Sequence, residues 1–479
     1  IKRDVDFKVI SFIAENKDRL AGVDYQIEAT RYYPNNFRAA HSFGYASEIS
    51  PKQLEKQIGD YYKQGDVVGS NGLEANYENY LRGVKGYKFI TVDVKGREIG
   101  GLNEGKNDIP PINGSDLLLG MDKELQEYAE KLMKGKRGAV IAVDPRNGEI
   151  LCFVSMPDFD ISAFAGKTDS KIFSALLNDP EKPLFNRVTQ TKYPPGSTWK
   201  MMMSLAAMEA GIITPTSTVV CNGSFTYGNR TFEDHGVYGA INVTRALEVS
   251  ANVFYYKMGL ALGIDNYNKY CKMFGFGNKT GIDIPNETTG LLPSKSYLDK
   301  RYGENKWTQG LMVSLGIGQG ELGVSPVQMV AYTAAIAMSG LYCQPHFVSK
   351  IKNTINNTEE NVTYEQRRID MSEKYYEAVR YGMYLVVNGN GTAKGIKNSE
   401  YTLCGKTGTA QNSSGNNHSW FVGFAPYDDP RIAICVLGEN EGWGAKFAAP
   451  LAGALMLRYL GGDKYEIDGD IKMVGGDPD

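Results

Sequence analysis

The sequence predicts a mixed α/β (α+β) fold: an antiparallel sheet between helical layers, preceded by a smaller N-terminal module. Three observations carry this expectation. Hairpin-like strand signals stand near both ends of the region after residue 113, and both need partners in one sheet. Long helical patterns lie between them. A Gly-, Asn- and Pro-rich run, "GGLNEGKNDIPPINGSD" (residues 100–116), separates this region from a differently textured first hundred residues.

Composition sets outer bounds. With 479 residues there is room for one large enzyme domain plus a smaller module. Hydrophobic residues at 42% and charged residues at 22% match a globular protein, which excludes a mostly disordered chain or a coiled-coil rod. A net charge of −3 offers no cationic field, so no nucleic acid is expected as a partner. Four histidines (His41, His235, His346, His418) leave little material for a multi-histidine metal centre. Cys152, Cys221, Cys271, Cys343, Cys404 and Cys435 form no CxxC pair and are expected as small core residues. No run of 18 apolar residues occurs, so no membrane span is expected within the chain. The chain opens at Ile1 without a signal-like segment and reads as a truncated or processed product with an anchor upstream.

The elements follow in order. In "GLEANYENYLRG" (72–83), Leu73, Tyr77, Tyr80 and Leu81 are spaced as on a helix. "YKFITVDVKGREIG" alternates like a strand pair turning at Lys95-Gly96. The Gly/Pro-rich run then sets the boundaries: a module over 1–113 and a main domain over 114–462. "LLLGMDKELQEYAEKLM" reads as a helix, and "GAVIAVDPRNGEILCFVS" as a hairpin around residues 144–148. Residues 197–213, "STWKMMMSLAAMEAGII", are apolar nearly all round, as in a fully buried helix. "DMSEKYYEAVRYGMYLVVNG" is a second long helix with Asp370 and Glu373 as its capping box. "YTLCGKTGTAQ", "SWFVGFAP" and "RIAICVLGE" are three successive strands, and "FAAPLAGALMLRYL" a closing helix. Residues 463–479 form an acidic, Gly-rich tail expected to be mobile.

Several chemistries are excluded first. There is no HExxH and no GxSxG, and the phosphate-loop reading of "CGKT" fails because Glu400 stands where a glycine is needed. Three short motifs remain. Pro194-Pro195-Gly196 halts the chain and starts a helix at Ser197, so a spacing of three puts Ser197 and Lys200 on one face. A serine hydroxyl needs a base to take its proton, and a buried lysine can be that base. Free N–H groups at the helix start suit a developing oxyanion. Ser250-Ala251-Asn252 supplies a hydroxyl for proton relay and an amide for a substrate carbonyl. Lys406-Thr407-Gly408-Thr409 lies in a strand; Gly408 lets a substrate lie along the edge, while Lys406 and the threonines suit a carboxylate. Each motif alone reads as a cap or a turn. In this order they match the SxxK, S-D-N-type and KTG set shared by class A β-lactamases and penicillin-binding proteins, with the middle motif here reading Ser-Ala-Asn.

On these motifs the chain resembles a class B penicillin-binding protein, a monofunctional peptidoglycan D,D-transpeptidase. "PLFNRVTQTKYPPGSTWK", "SLGIGQGELGVSPVQMV" and "CGKTGTAQNSSGNNHSWFVGFAP" are similar to that family's sequences. "RYYPNNFRAAHSFGYASEIS" and "GLEANYENYLRGVKGY" resemble its elongated N-terminal pedestal, a non-catalytic, dimerisation-like domain. "YKFITVDVKGREIG" and "NVTRALEVSANVFYYKMGLALGID" look more like the cell-elongation subgroup, which shapes the cell, than the division subgroup. The resemblance implies the penicillin-binding/transpeptidase fold and a set of roles. Ser197 is the acylated nucleophile and Lys200 its base. Ser250, helped by Lys406, passes a proton to the leaving D-alanine. Asn252 holds the donor backbone. Thr407 and Thr409, beside Gly408, grip the terminal carboxylate, and the N–H groups of Ser197 and Thr409 form the oxyanion hole. The implied partners are D-Ala-D-Ala stem peptides, β-lactam antibiotics and a membrane glycosyltransferase of the elongation machinery. The implied location is the membrane, with the catalytic domain in the periplasm; no cofactor is needed.

The sequence also departs from the family. Asn417 precedes His418 where relatives often carry Asp. Some elongation-type relatives bind zinc near the middle motif; Cys221, Asp234 and His235 are the candidates here, but Ala251 supplies no ligand, so no metal is expected. Two rivals share the motifs. A β-lactamase-like hydrolase needs a deacylating glutamate, and none is identified. A β-lactam-binding sensor would acylate and then signal rather than cross-link.

Overall fold

The structure is a computed structural model and describes residues 5–466 apart from 18, 21, 26–29, 35–37, 56–60, 95–97, 166–168, 305 and 413–414. In chain order the main domain contains strands β1 (Gly138–Val143), β2 (Ile150–Met156), β3 (Val219–Tyr227), β4 (Arg230–Ile241), β5 (Cys404–Ala410), β6 (His418–Ala425) and β7 (Ile432–Gly438). Its principal helices are α1 (Lys123–Met133), α2 (Lys200–Glu209), α3 (Val243–Glu248), α4 (Asn252–Met273), α5 (Pro326–Ala337), α6 (Glu373–Asn388) and α7 (Ala448–Gly461).

The central sheet runs in the order β5-β6-β7-β1-β2 with every pairing antiparallel, so early hairpin and late strands do meet in one sheet. All residues of β1, β2, β6 and β7 are buried, because helices cover both faces. Strand alternation sorts the side chains: Ala139, Ile141 and Val143 face a core shared with α2, α4 and α5, while Val140 and Ala142 face one shared with α1 and α7. The six cysteines are buried free thiols, as expected of core residues. Strand β5 forms one edge of the sheet, and that edge faces the site.

Several local expectations change. The 72–83 helix is two short helices, Gly72–Asn76 and Glu78–Leu81, broken at Tyr77 (φ −108°, ψ 17°). Tyr77 is drawn out of helical register by tertiary contacts: its hydroxyl donates to Asp283, which also accepts the N–H groups of Phe347 and Val348. Ile90–Val92 and Glu98–Gly101 pair antiparallel as expected, with the Lys95-Gly96 turn outside the described residues. The Gly/Pro-rich run is no loose linker, since Ile109 and Ile112 bridge back to Tyr87 and Val84. Residues Asp116–Leu119 form a strand paired with Val348–Asn353, not the start of a helix; a short leucine run reads equally well as either. The helix begins only after Asp122, whose side chain accepts from Leu125 N–H. The capping box at α6 is absent: its N-cap is Ser372, which makes no side-chain cap bond. Of the tail, residues 467–479 lie outside the described residues. Its first residues dock, Asp463 pairing with Arg458 at 2.7 Å. Among the described residues no helix is long and apolar enough to cross a membrane.

Candidate active site

Gly196 opens the site. Its φ of +58° favours glycine, and a Cβ there would meet Thr409 O at 2.6 Å. The chain then makes a 3-10 turn over Gly196–Trp199 before α2 begins at Lys200. The buried helix expected over 197–213 is therefore shorter, with Ser197 in its tighter prelude. Residues three apart eclipse in such a turn, which keeps Ser197 and Lys200 on one line. Lys200 N–H donates to Ser197 O, and Thr198 Oγ1 donates to Pro195 O at 2.8 Å. Trp199 is fully buried against Phe276, Tyr267 and Tyr332, a packing role.

The middle motif is a helix stop followed at once by a helix start. Helix α3 ends in a Schellman motif: Ser250 N–H donates to Leu247 O and Ala251 N–H to Ala246 O. Its left-handed position, usually glycine, is here Ser250 at φ +58°, fully buried. That conformation aims the hydroxyl at two amines. Lys200 Nζ donates to Ser250 Oγ at 3.1 Å, to Ser250 O at 2.7 Å and to Asn252 Oδ1 at 2.7 Å. Lys406 Nζ donates to the same Ser250 Oγ at 3.0 Å and to Thr407 O at 3.1 Å. Both lysines are fully buried. Both amines thus share one hydroxyl oxygen inside a buried, low-dielectric site.

The third motif is the β5 edge. A Cβ at Gly408 would meet Pro195 O and Thr198 Cγ2, each at 2.8 Å, so glycine lets the strand close on the Ser197 turn. Thr407 points to the opposite face, where its hydroxyl meets Thr392 Oγ1 at 2.6 Å. Thr409 Oγ1 accepts from Gly444 N–H at 3.3 Å, and Thr409 O accepts from Gln319 Nε2 at 3.1 Å. The structure thus links Lys200, Ser250, Asn252 and Lys406 by hydrogen bonds and closes Gly408 and the Thr409 backbone on the turn that carries Ser197, while the Thr407 and Thr409 side chains share the strand face opposite Lys406. His418 follows at the end of β6; its ring lies 4.3 Å from Tyr193, its Nδ1 accepts Asn440 N–H, and burial lowers its pKa. Asn417 contributes its carbonyl, which accepts Gly442 N–H.

Sequence reasoning did not find Thr392, Gln319 or Glu248. Glu248 accepts Asn390 N–H at 2.9 Å and pairs with Arg245 at 2.6 Å, tying α3 to the turn that carries Thr392. Gln319 and Thr392 sit in the glycine-rich stretches "GIGQGELG" and "NGNGTAKG", a signal for close backbone approach. Glu248 has no single-sequence signal.

The zinc candidates do not fit a metal. Both Asp234 oxygens are taken by backbone N–H groups, of Asn252 at 2.8 Å and Val253 at 2.7 Å. Burial pushes the Cys221 thiol up to about 11, and the thiol donates to Val219 O. Among the described residues no group of three His, Cys, Asp or Glu side chains converges to hold an ion.

A serine and a lysine on one turn, a second serine under two amines and an open strand edge are the arrangement of a serine acyl-transferase. Comparison with known proteins gives the same class. The penicillin-binding protein transpeptidase domain matches residues 138–457, and the penicillin-binding protein dimerisation domain matches residues 1–119. The peptidoglycan D,D-transpeptidase MrdA of Escherichia coli K12 is 34% identical over 96% of this chain and 75% of that protein. The structure of Pseudomonas aeruginosa PBP2 in complex with WCK 5153 is 32% identical, covers 92% of this chain and 93% of its own, and superposes with a TM-score of 0.79. That of Helicobacter pylori PBP2 in complex with MreC is 32% identical over 95% and 84%, with a TM-score of 0.83. The chain belongs to the penicillin-binding protein transpeptidase family.

Proposed function

We propose that this chain cross-links peptidoglycan as an elongation-type D,D-transpeptidase, with Ser197 as the acylated nucleophile. The observation that carries the reading is the convergence of Lys200 and Lys406 on Ser250 Oγ, one turn from Ser197 and against the β5 edge. Neutral Lys200 takes the Ser197 proton as Oγ attacks the carbonyl carbon of a D-Ala-D-Ala stem. N–H groups of Ser197 and Thr409 hold the oxyanion. The C–N bond breaks, and the leaving D-alanine amine receives its proton through Ser250, backed by Lys406. Asn252 binds the donor backbone, and Thr407 and Thr409, beside Gly408 on the β5 edge, receive the carboxylate. An amine of a second stem then attacks the ester carbonyl, loses a proton along the same path and releases Ser197. β-Lactams stop at the acyl stage. The steps draw on no cofactor.

For domains we keep 1–113, 114–462 and 463–479. The first carries exposed Tyr87, Ile90, Val92, Val94 and Ile99, apolar surface suited to a protein partner. A membrane glycosyltransferase of the elongation machinery is the partner proposed, with the catalytic domain in the periplasm. The hydrolase alternative finds no support in Glu248, whose carboxylate is committed to Asn390 and Arg245.

Intact-protein mass spectrometry with benzylpenicillin, beside Ser197→Ala, tests the acyl chemistry. A persistent adduct lost in the variant is expected. Rapid turnover without an adduct would establish a hydrolase. A donor peptide with an acceptor amine then separates cross-linking from sensing.

A further inference from the structure

We infer that Asp234 is a positioning residue for acylation: from the β3–β4 hairpin its carboxylate caps α4 and fixes Asn252 under Lys200. The inference rests on Lys200 acting as the base for Ser197.

The need for it is local. The residue at the N-cap of α4 is Ala251, which makes no side-chain cap bond, and alanine is among the poorest caps. The preceding Ser250 holds an unfavourable left-handed conformation, so nothing within the motif secures the helix start. The missing oxygens arrive from eighteen residues upstream. Asp234 accepts Asn252 N–H at 2.8 Å and Val253 N–H at 2.7 Å, one on each carboxylate oxygen. A carboxylate there also faces the positive end of the helix dipole.

The hairpin is built to deliver it. The register passes from Asn222↔Val237 to Ser224↔Glu233, so Asp234, His235 and Gly236 stand opposite Gly223 alone. Such a bulge re-aims side chains out of the ladder. Helix α4 holds the hairpin in return. Tyr256 O–H donates to Glu233 O at 3.0 Å, Lys257 Nζ donates to Val220 O at 2.7 Å, and the Phe232 ring packs on Tyr256. The chain of contacts runs from Asp234 to the Asn252 backbone, from Asn252 Oδ1 to Lys200 Nζ, and from Lys200 to the Ser197 turn. The oxygens that a metal would need are the ones that hold the helix.

The test measures benzylpenicillin acylation of the whole chain, per acylatable molecule, separating the bimolecular binding constant from the acylation rate constant. Asp234→Ala is expected to slow acylation about tenfold (about 1.4 kcal/mol) with binding changed less than about twofold. Asp234→Asn, which keeps one acceptor oxygen, falls between and covers the case in which the alanine variant does not fold. On an Asn252→Ala background the same substitution costs less than about twofold, because the coupling runs through Asn252. Chelation leaves the unsubstituted chain unchanged. The inference is overturned if the Asp234 variants melt earlier yet acylate at the full rate, if the tenfold loss persists without Asn252, or if chelation stops acylation. Absence of any Ser197 adduct in the unsubstituted chain overturns the base assignment too, and so is distinguishable.

Discussion

Ser250 offers the sharpest separation of stability from chemistry. It stands at φ +58° in the Schellman position after α3, fully buried, where glycine would be the unstrained choice. A non-glycine residue in that region costs about 1–2 kcal/mol. Ser250→Gly and Ser250→Ala both delete the hydroxyl, and so both take one acceptor from Lys200 and one from Lys406. The amines keep their other partners: Ser250 O and Asn252 Oδ1 for Lys200, Thr407 O for Lys406. The hydroxyl loss therefore cancels between the two variants, and what remains is the left-handed strain that alanine keeps and glycine relieves. Part of the relief is returned as glycine's greater unfolded-state entropy, leaving Ser250→Gly more stable than Ser250→Ala by about 1 kcal/mol. In a domain of this size that is roughly 1–2 °C in Tm, resolvable by paired calorimetric scans. Acylation by benzylpenicillin falls about 10²-fold or more in both, the usual worth of a positioned proton-transfer group. An alanine variant as stable as the glycine variant would refute the strain argument. A glycine variant that acylates normally would refute the proton-relay role.

Two further outcomes follow from the same geometry. His41 is fully buried, with Nε2 donating to Pro183 O at 2.9 Å, and burial pushes its pKa down to about 4 from 6.5. The unfolded chain therefore binds the extra proton first; stability is complete above pH 6.5 and falls as pH drops toward 4, by about 3 kcal/mol in full. Asp158, raised to about 6 chiefly by burial, titrates in the same window with the opposite sign, so the comparison is with His41→Gln. The variant is expected to lose less Tm between pH 7 and pH 4.5, and equal losses would refute the assignment. Gly408→Ala places a Cβ 2.8 Å from Pro195 O and Thr198 Cγ2. Overpacking of that kind costs about 1–3 kcal/mol, and acylation is expected to slow at least about tenfold as β5 is pushed from the Ser197 turn; an unchanged rate would show that the edge need not close on the turn.

The sheet was legible because its strands are buried on both faces and read as continuous apolar runs, from "GAVIAV" to "RIAICVLG". The three motifs were legible because their chemistry needs particular side chains at fixed spacing. What stayed hidden was whatever tertiary contact decides. Tyr77 leaves helical register for an aspartate 206 positions away, and Leu117–Leu119 extends because Val348–Asn353 is there to pair with it. Asp234 is the instructive case. From sequence it is a candidate metal ligand, because carboxylate, histidine and cysteine near a catalytic motif suit an ion. In the fold it meets two backbone N–H groups that sequence alone leaves unassigned. The clue lay one residue before the helix, in Ala251, whose methyl group can neither cap a helix nor bind a metal. A weak cap at a functional turn implies an oxygen supplied from elsewhere, because buried N–H groups at a helix start do not stay unpaired. The rule broken at Ala251 marks where the site depends on the rest of the chain.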